Sequence, residues 1–184
     1  MNKETRLDLF QNNEFKPGSV LKRTLWYLIS LMTFQTKVPY PSVLKRVILR
    51  LFGAKIGKGV VIKPDVQIKY PWNLIVGDWS WIGEKVWIDN LGMVTIGSHC
   101  CLSQGSMLLC GNHNYKSEAF DLIVQPIHLA NGVWIGAKAL VNPGVICRSH
   151  SVAGSASVIS GEMEAYQIYS GNPGKIVRQR TLNS

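Results

Sequence analysis

His113 stands in the stretch CGNHNY (110–115), between Asn112 and Asn114. Lys116, Glu118 and Asp121 follow it, with Tyr115 and Phe120 among them. Histidine takes up and releases a proton near neutral pH, with an ordinary pKa of about 6.5. As a general base it typically contributes about 10²–10⁴-fold to a rate. Read from position alone, His113 is either such a base or a turn histidine holding a structural hydrogen bond. The other histidines rank lower: His99 and His150 fall at exposed turns, and His128 stands where the polar stretch returns to apolar sequence and could line a site.

What must position His113 is a repeat. Aliphatic residues lead six-residue units: Ile56, Ile62, Ile68; Val76, Ile82, Ile88; Ile96, Leu102, Leu108. Matching positions recur every twenty residues, which is three hexads and a two-residue insertion. After the interruption the leaders are Leu129, Ile135, Val141, Cys147, Ala153 and Ile159. A small or branched residue tends to stand four places after each leader, as at Val60, Cys100 and Val133. A hexad is a short strand and a turn, three hexads make a triangular coil, and stacked coils bury the leaders. The expected fold is an all-β parallel β-helix of about five coils. Glycines 57, 77, 83, 97, 136 and 154 are expected at turns that need unusual backbone angles. A two-sheet sandwich would need turn signals of another spacing.

In this register His113 ends the third coil, where the chain leaves as a loop (111–128). Met93 is its counterpart one coil earlier. Asp89 and Asn90 lead into that same corner and belong on the edge that carries His113.

Residues 1–53 form an expected helical extension, 54–170 the β-helix and 171–184 a tail. Residues 18–35 and 41–53 read as helices, with Pro41 able to start the second and Gly53 to end it. Val43, Val47 and Leu51 line one face of that helix, with Lys45, Arg46 and Arg50 largely off it. These helices could cap the first coil or touch a membrane. The net charge of +9 is uneven: residues 1–55 hold ten Lys/Arg against three Asp/Glu. Such a segment suits an anionic surface, or is a solvated helical face.

Several classes are disfavoured. No apolar run reaches the roughly 20 residues of a membrane span. No cleavable signal pattern stands at the start. The four cysteines (100, 101, 110, 147) show no metal spacing and read as reduced core residues of a cytoplasmic protein. No metal and no nucleic-acid partner are expected. No Rossmann or P-loop glycine motif is present. Trp72, Trp79, Trp81 and Trp87 could stack on sugar rings or simply pack.

The stretches YPWNLIVGDWSWIGEKVWIDN, CGNHNY, PIHLANGVWIGAKALVNPGV and YSGNPGKIVRQR resemble the hexapeptide-repeat, left-handed β-helix acyltransferases. Within them the chain is most similar to sugar O-acetyltransferases, and among those to the enzymes of exopolysaccharide synthesis, colanic acid included. The resemblance covers roughly residues 54–180. It implies left-handed coils, a homotrimer with active sites between subunits, and acetyl-CoA as donor. It implies His113 as catalytic base. Acceptor contacts fall to Asp89, Asn90 and Asn112. Donor contacts fall to Ala137 near the pantetheine arm, to Ser155, Ser160 and Gly161 beyond it, and to Lys175 and Arg178 at the nucleotide phosphates. The loop would wall off the site over a neighbouring subunit.

The expected activity is therefore acetyl transfer to a sugar hydroxyl in surface-glycan synthesis. N-acetylation of an amino sugar uses the same base and donor. A non-catalytic trimeric scaffold and a three-histidine zinc enzyme are the other readings, and the histidine pattern does not fit the latter. A lipid-linked glycan acceptor would suit peripheral membrane contact through residues 18–53.

Overall fold

A computed structural model describes residues 4–183. Leading residues and those four places on point inward together: Ile62, Ile82 and Leu102 are buried, and so are Val60, Ser80 and Cys100. Two inward side chains per hexad leave room only for short strands with tight turns between them. Stacked parallel strands then form three sheets along a triangular prism.

The first sheet runs from Lys55–Ile56 through Leu74–Val76, Val94–Ile96, Ile127–Leu129 and Ile146–Cys147 to Glu162–Met163. The second stacks Val61–Ile62, Trp81–Ile82, Cys101–Leu102, Trp134–Ile135, Val152–Ala153 and Gln167–Ser170. The third stacks Gln67–Ile68, Trp87–Asp89, Met107–Leu109, Leu140–Val141 and Val158–Ile159. These make five complete coils and two sides of a sixth. Lys175–Gln179 returns antiparallel along Gln167–Ser170 and closes the second sheet. Arg180 latches the tail by donating to the carbonyls of Gly132 and His150.

The glycines after the leaders have a different reason from the expected one. Gly57, Gly77, Gly83, Gly97, Gly136 and Gly154 are not in the left-handed region. They sit where one coil touches the next: a Cβ on Gly77 would stand 2.5 Å from the Ser98 nitrogen. The left-handed angles fall two residues further on, often at non-glycine residues such as Trp79, Lys85, His99, Lys138 and Ala156.

Two helices precede the coils, α1 (Val20–Thr33) and α2 (Ser42–Leu51). Pro41 is the N-cap of α2, and Gly53 follows its C-cap Phe52 with φ +98°. Both helices close the open end of the first coil, whose carbonyls have no preceding coil to bond. The face of α2 that does this is the cationic one. Lys45 is fully buried and donates to Lys63 O at 2.8 Å. Arg46 donates to Val60 O, and Arg50 to the carbonyls of Ile56 and Gly57. Trp26 of α1 covers the third side, its Nε1 donating to Ile68 O. Val43, Val47 and Leu51 are turned outward and exposed. Unpaired backbone carbonyls cost more to bury than exposed valines cost to leave in water, so the cations win the inner face. Among the described residues no helix is long and apolar enough to cross a membrane.

Candidate functional site

The corner between the third and first sheets carries His113. Gly111–His113 leaves the third coil and pairs antiparallel with Leu122–Val124, so the expected loop begins as a short hairpin. The ring of His113 is half-buried. It stacks on Phe120, with centroids 4.3 Å apart and planes 6° from parallel. Its Nδ1 lies 2.8 Å from the Phe120 carbonyl oxygen. A carbonyl only accepts, so Nδ1 carries the ring proton and Nε2 holds a free lone pair. Backbone is held too: His113 N–H donates to Asn112 Oδ1 at 2.8 Å.

The other side of the ring meets Phe10, at 5.8 Å between centroids. Arg6 N–H donates to Glu118 O at 2.8 Å, fastening the N-terminal segment to the hairpin. Phe10, Asn12, Phe15 and Pro17 thus wall a groove of about 520 Å³ whose other sides include Tyr70, Asp89, Leu91 and His113. Sequence reasoning missed this wall. Nothing periodic marks residues 4–17, and their role is set by what they cover.

One coil below His113 stands Asp89, paired with Leu109 across the third sheet. Lys69 Nζ lies 2.9 Å from its Oδ1 and forms an ion pair with it. Arg23 of α1 lines the same groove, and its Nε is buried without a hydrogen-bond partner among the described residues. A second hollow of about 380 Å³ continues past Arg23, Lys69, Tyr70 and Asp89 to Tyr27 and Trp87.

Asn90 does not belong among the acceptor contacts. Its side chain is wholly buried, Oδ1 accepts from Tyr70 N–H at 2.9 Å, and Nδ2 donates to the carbonyls of Tyr70 and Asn73. An amide committed on both ends and sealed from solvent cannot reach a ligand; it clamps the corner. Asn112 is exposed, with its oxygen engaged by His113 N–H. His128 points outward from the first sheet, away from the groove. Of the tryptophans, Trp87 reaches the groove's far end, whereas Trp72 packs under Lys22, 4.4 Å from its ammonium. Trp79 covers Gly59, and Trp81 lies on the outer face of the second sheet.

The candidate donor residues divide between two corners. Ala137 and Ser155 lie at the corner between second and third sheets, where Ala156 N–H donates to Ala137 O. Lys175 pairs with Ser170 at the same end of the second sheet, and Arg178 faces Ile168 along it. Ser160 and Gly161 lie instead at the His113 corner, on a later coil. Ser160 Oγ accepts from Asn142 Nδ2 at 2.7 Å, and Gly161 (φ +85°) leaves open space above its backbone. Lys175 and Arg178 are exposed and form no ion pair among the described residues. The four cysteines are unpaired, three of them buried. Among the described residues no group of three or more His, Cys, Asp or Glu stands together as metal ligands would.

Known proteins resemble this chain. "Putative colanic acid biosynthesis acetyltransferase WcaF" of Escherichia coli (strain K12) is 38% identical over 169 residues, spanning 90% of this chain and 91% of the relative. The chain belongs to the hexapeptide-repeat acetyltransferases. No protein-family model matches it. Among solved structures, the hexapeptide-repeat acetyltransferase VCA0836 of Vibrio cholerae O1 biovar eltor, complexed with acetyl coenzyme A, superposes with a TM-score of 0.81. That likeness covers 95% of this chain and 97% of the other at 19% identity. A maltose O-acetyltransferase from Clostridium difficile 630 gives a TM-score of 0.80 at 18% identity, covering 89% and 88%. At such identities the likeness concerns the fold, which is the left-handed parallel β-helix. This acetyltransferase therefore places a half-buried histidine where its own solenoid is interrupted by the hairpin.

Proposed function

We propose that this acetyltransferase moves an acetyl group from acetyl-CoA to a sugar hydroxyl during synthesis of a surface glycan, with His113 as general base. The observation that carries the reading is the His113 Nδ1 contact with the Phe120 carbonyl, which leaves Nε2 basic and aimed by stacking. Nε2 takes the hydroxyl proton as the hydroxyl oxygen bonds to the thioester carbon. The tetrahedral oxyanion then collapses, the C–S bond breaks, and the imidazolium returns the proton to the departing thiolate. Asp89 lines the groove with His113, and its carboxylate is suited to accept from a second sugar hydroxyl.

Acetyl-CoA is a long ligand, and Ala137, Ser155, Lys175 and Arg178 would meet it from one corner while Ser160, Gly161 and His113 meet it from another. Two copies that bring unlike corners together satisfy both sets, and a homotrimer does this three times. Apolar outer ladders support such packing: Trp81, Cys101, Trp134 and Val152 along the second sheet, and Trp87, Met107, Leu140 and Val158 along the third. The unpaired cations Lys175 and Arg178 suit the nucleotide phosphates. Four free cysteines suit a reducing cytoplasm.

The exposed apolar residues of α1 and α2, among them Leu21, Leu28, Met32, Val47 and Leu51, support peripheral membrane contact near a lipid-linked acceptor. The cations of α2 are spent on coil carbonyls, so that contact is apolar in character. Co-sedimentation should then be similar with neutral and anionic vesicles; binding only to anionic vesicles would overturn it.

The decisive experiment measures thiol release from acetyl-CoA over sugars, amino sugars and lipid-linked glycan fragments, with wild type and His113→Ala. Wild-type turnover of a hydroxyl acceptor that falls at least about a hundredfold in the variant is expected. Equal turnover in both proteins removes His113 from the reaction. Turnover confined to amines makes the product an amide.

A further inference from the structure

Among the described residues, two buried side-chain polar atoms lack any partner, Arg23 Nε and Ser106 Oγ, whereas Asp89 Oδ1 has Lys69 Nζ at 2.9 Å. Ser106 faces inside the solenoid. Arg23 lines one continuous groove, and its Nε–H has no acceptor there. Buried polar groups are nearly always paired, so an orphan donor on that wall marks where a ligand's acceptor completes the set.

Charge tells what kind of ligand. Lys69 has Asp89 as its counter-charge, at 2.9 Å. Arg23 has none: no carboxylate pairs with it among the described residues. Arg23 and Lys69 lie where the two hollows, about 520 and 380 Å³, adjoin. The wall there carries two cations against one anion. Together the hollows extend well beyond what one sugar ring at His113 would fill. A guanidinium with an unused Nε–H offers the two-pronged geometry that fits a carboxylate or a phosphate, and a nearby ammonium adds a point charge.

We propose that the Arg23–Lys69 end of the groove binds an anionic oxygen group on the acceptor, a carboxylate or a phosphate, displaced from the hydroxyl that faces His113. This rests on the groove being the acceptor site. It makes the acceptor an acidic glycan, either a uronic acid or a phosphorylated sugar. Arg23 is then a specificity residue delivered by α1, a helix that also caps the coils.

The test measures binding first, because binding does not depend on turnover. Methyl glucuronide, glucose 1-phosphate and methyl glucoside are titrated into the full-length protein and into Arg23→Gln and Lys69→Gln, with thermal melting to confirm folding. Either anionic probe should bind about tenfold or more tighter than methyl glucoside, and Arg23→Gln should bring that ratio close to one. A carboxylate preference assigns the uronic acid; a phosphate preference assigns the phosphorylated sugar. An anionic-to-neutral ratio near one in wild type, or a ratio that Arg23→Gln leaves intact, overturns the proposal. Thiol release with the same probes separates the two readings: selective anion binding without acetyl transfer keeps this site and removes the activity. Transfer without anion preference does the reverse.

Discussion

His113 Nδ1 lies 2.8 Å from the carbonyl oxygen of Phe120, while the ring of Phe120 stacks on the imidazole at 4.3 Å. One residue thus fixes both the tautomer and the plane of the histidine. Its backbone sets which nitrogen is basic, and its side chain sets where that nitrogen points. Phe120 can do both because it stands in the left-handed region (φ +54°) at the end of the hairpin turn.

Orientation of the base is therefore separable from its presence. Phe10→Ala and Phe120→Ala remove ring contacts and leave the imidazole in place. Each should lower kcat by about tenfold, less than His113→Ala, with KM for acetyl-CoA little changed. Steady-state kinetics on the three variants check this, and a rise in that KM with kcat intact would refute the assignment.

Asp89 and Asn90 are adjacent in sequence and opposite in role. Asn90→Ala should destabilise the fold by about 1–3 kcal/mol, because it strands buried groups of Tyr70 and Asn73. Asp89→Asn should change acceptor KM with little change in the urea midpoint. Urea unfolding beside acceptor titration distinguishes the two.

The inner face of α2 predicts an inverted substitution pattern. Lys45→Ala leaves the carbonyls of Ile62 and Lys63 without their ammonium and should cost about 1–3 kcal/mol. Val43→Ala on the exposed face should stay within about 0.5 kcal/mol. Chemical denaturation measures both, and a larger loss from Val43→Ala would mean the outward face is covered.

Gly77→Ala should cost about 1–3 kcal/mol by forcing two coils apart, since the new Cβ meets the backbone of Ser98. Thermal melting reports it. A harmless Gly77→Ala would mean that the coils part without cost at this corner.

Alkaline pH should weaken the fold through its buried thiols. Burial pushes Cys147 from its ordinary value of 9.0 up to about 12. Burial, with a smaller push from Asp89, takes Cys110 to about 11. The native state keeps protons that the unfolded chain loses, so this stability is full below pH 9.0 and is lost as pH rises towards 12. Urea midpoints at pH 8 and pH 10 in wild type and Cys147→Ala measure it; the variant should show the shallower decline.

The hexad leaders, the inward residues four places on and the break at His113 were all legible in the sequence. Each is a local rule repeated many times, so the pattern survives without knowledge of any contact. The position of Asp89 below His113 followed from the twenty-residue repeat for the same reason. Three things were settled only by the folded chain. Lys45 turned inward because the first coil presents carbonyls that no earlier coil can satisfy, a demand that exists only once the solenoid has formed. Asn90 went to the core and Asp89 to the groove because a corner turns neighbouring side chains in opposite directions. Phe10 and Arg23 joined the site from far along the chain, through contacts that obey no period. Repetition determined the scaffold in one dimension; the ends and the corner, where repetition stops, were decided by which unpaired groups the tertiary structure brought together.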